Sequence, residues 1–203
     1  MKRFRKIKQL TNNRFLNLFH LEAINKKGGV FDYFFVSRND QEHLKLLTHE
    51  LKPEGIVVYA LMRSDPSKLI MIRQYRYPLD EEIFELPAGL IDYGESAEEA
   101  AMREMKEETG MKLTIYQGGK SSYRRPFFMG AGFTDETSTT IYGWAEGESD
   151  IVNQEDSEMI HTLLVDRTEA ERILKEEKVS MRGAYLLMHF IHADPEQPFA
   201  FLD

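Results

Sequence analysis

Residues 97–109 form a helix whose ends and inward face can be read directly from the sequence, and that face limits what the chain can fold into. Ser96 with Glu99 three positions on is a capping box, and Gly110 stands where a helix stop is expected. With Glu104 set at zero on a helical wheel, Glu107 falls at about −60° and Glu108 at about +40°. Ala97, Ala100 and Ala101 lie in the same arc, earlier along the axis. One face therefore opens on alanines, small enough for close approach to a sheet, and closes on three carboxylates. An amphipathic surface helix keeps its inward stripe apolar throughout, and this one does not.

Like charges three and four positions apart repel. These also sit near the helix C-terminus, where the macrodipole disfavours anions. A divalent cation would remove both penalties, because hard cations take carboxylate oxygens. Spacing alone leaves two readings open, a solvated acidic face and a cation site. Arg103, just outside the arc, is placed to pair with Glu95 and orient the loop before the helix.

Composition narrows the partners. At 203 residues the expectation is one domain with a small extension. A net charge of −8 argues against a general nucleic-acid binder, though a local basic patch can still hold a small anion. There is no cysteine, which excludes disulfides, thiolate–zinc sites and cysteine nucleophiles, and fits a cytoplasmic chain. The basic segment 1–8 is read as a solvated leader, since no apolar run of signal-peptide length follows it. No segment approaches the roughly 20 apolar residues of a membrane-spanning helix, so no membrane partner is expected.

Residues 15–24 and 30–37, joined by Lys26-Lys27-Gly28-Gly29, predict a β-hairpin; 40–49 stay unassigned. Strands are expected at 56–62 and 68–75, with Asp65-Pro66-Ser67 as the turn, and at 82–86, 112–117, 137–146 and 160–165. Thr168 with Glu171 predicts a second capped helix near 169–178, and 180–192 a last one. Mixed strands with a few helices give an α/β or α+β layered domain.

Residues 89–111 also match a known signature, the Nudix box: Gly-x5-Glu-x7-Arg-Glu-U-x-Glu-Glu-x-Gly-U, with U a bulky aliphatic residue. Gly89, Glu95, Arg103, Glu104, Met105, Glu107, Glu108, Gly110 and Met111 fill every position. A chance match is on the order of 10⁻⁸ at average residue usage. The resemblance implies a Nudix fold, with a mixed β-sheet sandwiched between helices over 51–203. Residues 1–50 then form an N-terminal antiparallel β-hairpin extension for dimerisation or substrate contact. It also implies metal-dependent hydrolysis of a nucleoside diphosphate linked to another group, with Mg²⁺ or Mn²⁺ as cofactor. Glu104, Glu108, Glu107 and the Ala88 carbonyl are the implied metal ligands. Glu107 and Arg103 also count with the catalytic set.

Further stretches resemble the ADP-ribose and nucleotide-sugar pyrophosphatase branch: Gln74-Tyr75-Arg76, Glu85-Leu86-Pro87-Ala88-Gly89 and Gly132-Phe133-Thr134-Asp135-Glu136. Arg76, Glu85, Gly132 and Glu136 are the implied substrate residues. Gly130-Ala131-Gly132 departs from that branch's usual Ser-Pro-Gly. Enzymes of this kind take their base from a late acidic loop, here 148–158, with Glu158 first, then Asp156 and Glu155. The implied reaction is ADP-ribose to AMP and ribose 5-phosphate, in a homodimer. The alternatives are a UDP-glucose or GDP-mannose type pyrophosphatase and a non-catalytic ADP-ribose sensor.

Overall fold

The apolar run after Glu54 needs cover on both sides, and it receives it. In the computed structural model, which describes residues 2–149 and 159–203, this run is the deeply buried strand of a layered domain. In chain order the strands and helices are β1 (Phe4–Gln9), β2 (Asn17–Ile24), β3 (Val30–Ser37), α1 (Lys45–Thr48), β4 (Gly55–Met62), β5 (Asp65–Arg76), β6 (Glu81–Glu85) and β7 (Ala88–Leu90). There follow α2 (Ala97–Thr109), β8 (Lys112–Ile115), β9 (Phe127–Phe128), β10 (Thr137–Glu146), β11 (Ile160–Val165), α3 (Arg167–Glu176) and α4 (Met181–His192). Two compact units result: one runs to Glu54 and includes Pro126–Ser138, the other comprises Gly55–Arg125 and Thr139–Asp203.

In the second unit the strand order is β11-β5-β4-β10-β8, with β6 on β5 and β7 on β4. Side chains alternate across a sheet, so β4 serves two cores. Val57, Tyr59 and Leu61 pack with Met71, Ile173 and Leu187, on the side of α3 and α4. Ile56, Val58 and Ala60 pack with Ala100, Ala101 and Met105 of α2 on the other. A strand buried on both faces reads as an unbroken apolar run, and the sheet sandwiched between helices follows. Phe199 closes the first core, stacked on Tyr116 at 4.5 Å and edge-on to Trp144 at 5.0 Å.

The first unit is a three-stranded antiparallel sheet in the order β1-β2-β3. The leader at 1–8 is thus largely a strand. Its pairing comes from the β2 backbone, which its own basic composition does not reveal. Phe19 stacks on Phe35 at 5.4 Å, and both pack with Leu44. The unassigned 40–49 stretch holds α1 and a buried ion pair between Lys45 and Glu54. Lys45 Nζ also donates to Thr137 Oγ1 (2.9 Å), while Glu54 accepts from Asn39 Nδ2 (3.0 Å) and the Thr137 N–H (2.7 Å).

Three local expectations are corrected. The β4–β5 turn lies at Arg63-Ser64, and Asp65-Pro66-Ser67 already belongs to β5. Asp166, not Thr168, caps α3, accepting from the Glu169 N–H at 2.9 Å, so the helix starts and ends earlier than predicted. Ala88–Leu90, where no strand was expected, is a strand on β4.

Burial pushes the Glu54 carboxyl up, but Lys45, the Thr137 N–H and Asn39 outweigh it and hold it below the ordinary glutamate value. A lowered folded value stabilises above the unfolded one, and that gain is lost as pH falls through the lowered value. Glu54→Gln leaves a buried ammonium unpaired and is expected to cost about 3–5 kcal/mol at neutral pH. In urea titrations across pH, that deficit should shrink on the acid side.

Candidate metal centre

Helix α2 sits as predicted. The Ser96 side chain accepts from the Glu99 N–H, the Glu99 carboxylate returns the bond to the Ser96 N–H (2.9 Å), and Gly110 closes the helix at φ 75°. Only a residue free of the Cβ penalty takes that left-handed conformation at no cost. The alanine face lets the helix axis approach the sheet, which brings its last turns over β7.

There the structure makes a tight fit. A Cβ on Gly89 would fall inside the Glu104 carboxylate, so the missing side chain is what gives Glu104 its place. Glu108 is 1% exposed and accepts from the Ala88 N–H at 3.0 Å. Thr162 Oγ1 lies 3.4 Å from the Glu108 carbonyl oxygen, placing β11 beneath the same turn.

Arg103 ties the rest together. It grips Glu95 with two bonds, Nε to Oε1 at 3.0 Å and Nη2 to Oε2 at 3.1 Å, and reaches the Leu90 carbonyl through Nη2 (2.9 Å). Its Nη1 donates to both Glu104 (2.8 Å) and Glu107 (2.9 Å). The guanidinium therefore offsets the repulsion between two members of the triad. Glu95, with some support from the others, drives the arginine further from deprotonation; the arginine in turn holds Glu95 below its ordinary value. Among the described residues no three carboxylate or imidazole groups already converge on one point.

The donor set nevertheless suits a hard divalent cation. Three carboxylates lie within little more than one turn, one of them buried and one seated in the space left by Gly89.

The implied substrate residues are divided between the two units. Arg76 Nε donates to the buried Glu85 at 2.5 Å, both in the second unit. Gly132 and Glu136 belong to the first unit, where the Gly132 carbonyl accepts from the Tyr33 hydroxyl and Glu136 pairs with Arg38 at 3.1 Å. Glu155, Asp156 and Glu158 lie outside the described residues. Sequence reading gave no role to Lys45 and Glu54; a lysine among leucines at 44–47 was the available signal.

Gly89→Ala should push Glu104 out of position while leaving α2 capped at both ends. The expected result is an unchanged far-ultraviolet circular dichroism spectrum and Mn²⁺ affinity weakened roughly 10- to 100-fold, read by electron paramagnetic resonance titration.

Comparison with known proteins bears on the family. A putative nudix hydrolase from Caenorhabditis elegans is 34% identical over 127 residues, 59% of this chain and 54% of its own length. An ADP-ribose pyrophosphatase of Bacillus subtilis is 39% identical over 84 residues, 41% of this chain and 42% of its own. The chain thus spans about half the length of these curated relatives. A crystal structure described as an ADP compounds hydrolase superposes with a TM-score of 0.66 at 18% identity, covering 91% of this chain and 89% of the other. At that identity the likeness is one of fold. The profile of the NUDIX domain matches residues 53–188, which is more than half of the sequence and includes the whole Gly89–Met111 box, and the chain belongs to that family.

Proposed function

We propose that this protein hydrolyses the diphosphate bond of a nucleoside diphosphate linked to a sugar, with ADP-ribose giving AMP and ribose 5-phosphate. The observation that carries the reading is the arrangement of the three carboxylates: Glu104 and Glu107 on Arg103, Glu104 in the space left by Gly89, and Glu108 on the Ala88 N–H. Evenly spread surface charge would be a cheaper arrangement for stability alone. ADP-ribose pyrophosphatases of Bacillus subtilis and Saccharomyces cerevisiae among the relatives support this choice of substrate.

Glu104, Glu107, Glu108 and the Ala88 carbonyl would hold Mg²⁺ or Mn²⁺. Such an ion supplies charge neutralisation of the diphosphate and a more acidic water. The chain's own residues do the rest. Arg103 keeps the carboxylates and the Glu95 loop in register. Arg76, braced by Glu85, offers paired guanidinium donors to phosphate oxygens. A carboxylate of 148–158, Glu158 before Asp156 and Glu155, takes the proton of the attacking water. Gly132 and Glu136, in the first unit, stay in this reading as substrate residues on the resemblance alone.

A nucleotide sugar of the UDP-glucose or GDP-mannose type is the second substrate reading. The sensor reading is disfavoured because every charged position of the box is present. The test is a substrate panel with Mg²⁺ and Mn²⁺, following the phosphate-containing products. Turnover of ADP-ribose above the nucleotide sugars, lost by at least a hundredfold in Glu108→Gln, is expected. No turnover of any member by a protein that binds Mn²⁺ would sink the proposal.

The protein works as a cytoplasmic homodimer in this reading, with residues 1–50 as the dimerisation and substrate-contact region. Among the described residues, no strand covers the outer edge of β3 before Val36, and Val30, Phe31, Tyr33 and Phe34 are exposed there. The other edge, β1, exposes Arg5, Lys6 and Lys8, which discourage edge pairing. Light scattering should return twice the chain mass, and Phe34→Lys should shift it toward one.

A further inference from the structure

Gln74 lies in β5, buried to 6% exposure, with its Oε1 meeting no hydrogen-bond partner among the described residues. A buried amide oxygen left unpaired carries its desolvation cost with no return. Packing does not require it, because the residues directly opposite are Ile83 on β6 and Ile160 on β11.

The sheet register fixes which way this amide faces. Residues directly opposed in an antiparallel pair share a face, as do residues two apart on one strand. Gln74 therefore shares its face with Arg76, and through Ile72 with Glu85 and Thr162. Thr162 reaches the Glu108 carbonyl, so this is the face beneath the last turn of α2. The opposite face, with Met71 and Phe84, is apolar core. An acceptor with no partner among the described residues thus stands two residues from Arg76, on the face that also carries Glu85 and on the side of α2.

We infer that Gln74 is a specificity residue whose Oε1 accepts a hydrogen bond from a hydroxyl of the sugar linked to the diphosphate. The inference rests on the function proposed above and narrows it. An ionised phosphate cannot fill this role, since its oxygens only accept, and Arg76 on the same face already offers donors for them. A sugar hydroxyl donates. Discrimination of this kind works through loss: a ligand without the hydroxyl leaves the buried oxygen unpaired.

Gln74→Met keeps the volume and removes both polar atoms. Binding of ADP-ribose, UDP-glucose, ADP and UDP would be measured by calorimetry in EDTA, beside the melting temperature of the metal-free protein. The variant should bind the sugar-bearing ligand about 5- to 20-fold more weakly and ADP and UDP as the wild type does. Its melting temperature should be unchanged or higher by about 2–4 °C. Equal losses on ADP and ADP-ribose, no loss at all, or a lowered melting temperature would each overturn the inference. A wild type that cleaves ADP-ribose with an indistinguishable variant removes this inference alone. A wild type that binds and cleaves no sugar nucleotide removes the proposed function too.

Discussion

The closeness of α2 to the sheet is the constraint from which the site is built. Ala100 and Ala101 carry almost no bulk, so the helix backbone settles against Ile56, Val58 and Ala60. The same approach carries Glu104 to Gly89 and Glu108 to the Ala88 N–H. A leucine at either alanine would lift the helix and move the carboxylates with it. Packing and chemistry are therefore one decision, made by small residues at the start of a helix and carboxylates at its end.

Electrostatics sets the second condition. Carboxylates on adjacent turns, near the negative end of a helix dipole, would drive one another apart. Arg103 prevents this by bonding two of them while fastened to Glu95 and the Leu90 carbonyl. Planar guanidinium geometry suits the task, because its donors point in fixed directions and a lysine ammonium would not span all four partners. The loop before the helix is held by the same group that holds the carboxylates.

What the sequence revealed follows the range of the forces involved. Helix α2 came out with its limits and caps as read, because Ser96, Glu99 and Gly110 act within a turn of their own backbone. Strands β10 and β11 were likewise legible, since alternation and flanking turns are local. The errors lie where partners are distant. β1 pairs because β2 offers it an edge, and β7 because β4 does. Asp166 outcompetes Thr168 as a cap, helped by a 2.9 Å bond from Lys68, which lies far back in the chain. The Lys45–Glu54–Thr137 clip joins three stretches whose relation no periodicity encodes. Gln74 was visible only as part of a familiar run; its missing partner is a property of the folded sheet.

The chain has a single tryptophan, Trp144, and it lies in β10 against Phe199 in the second unit. The first unit has Tyr33 and several phenylalanines but no indole. Intrinsic fluorescence excited at the indole band therefore watches one unit melt and is blind to the other. Circular dichroism, which sums backbone from both, carries the remainder. Where the two traces part company on heating or in urea, the protein is not a single cooperative unit, and no label is needed to find out.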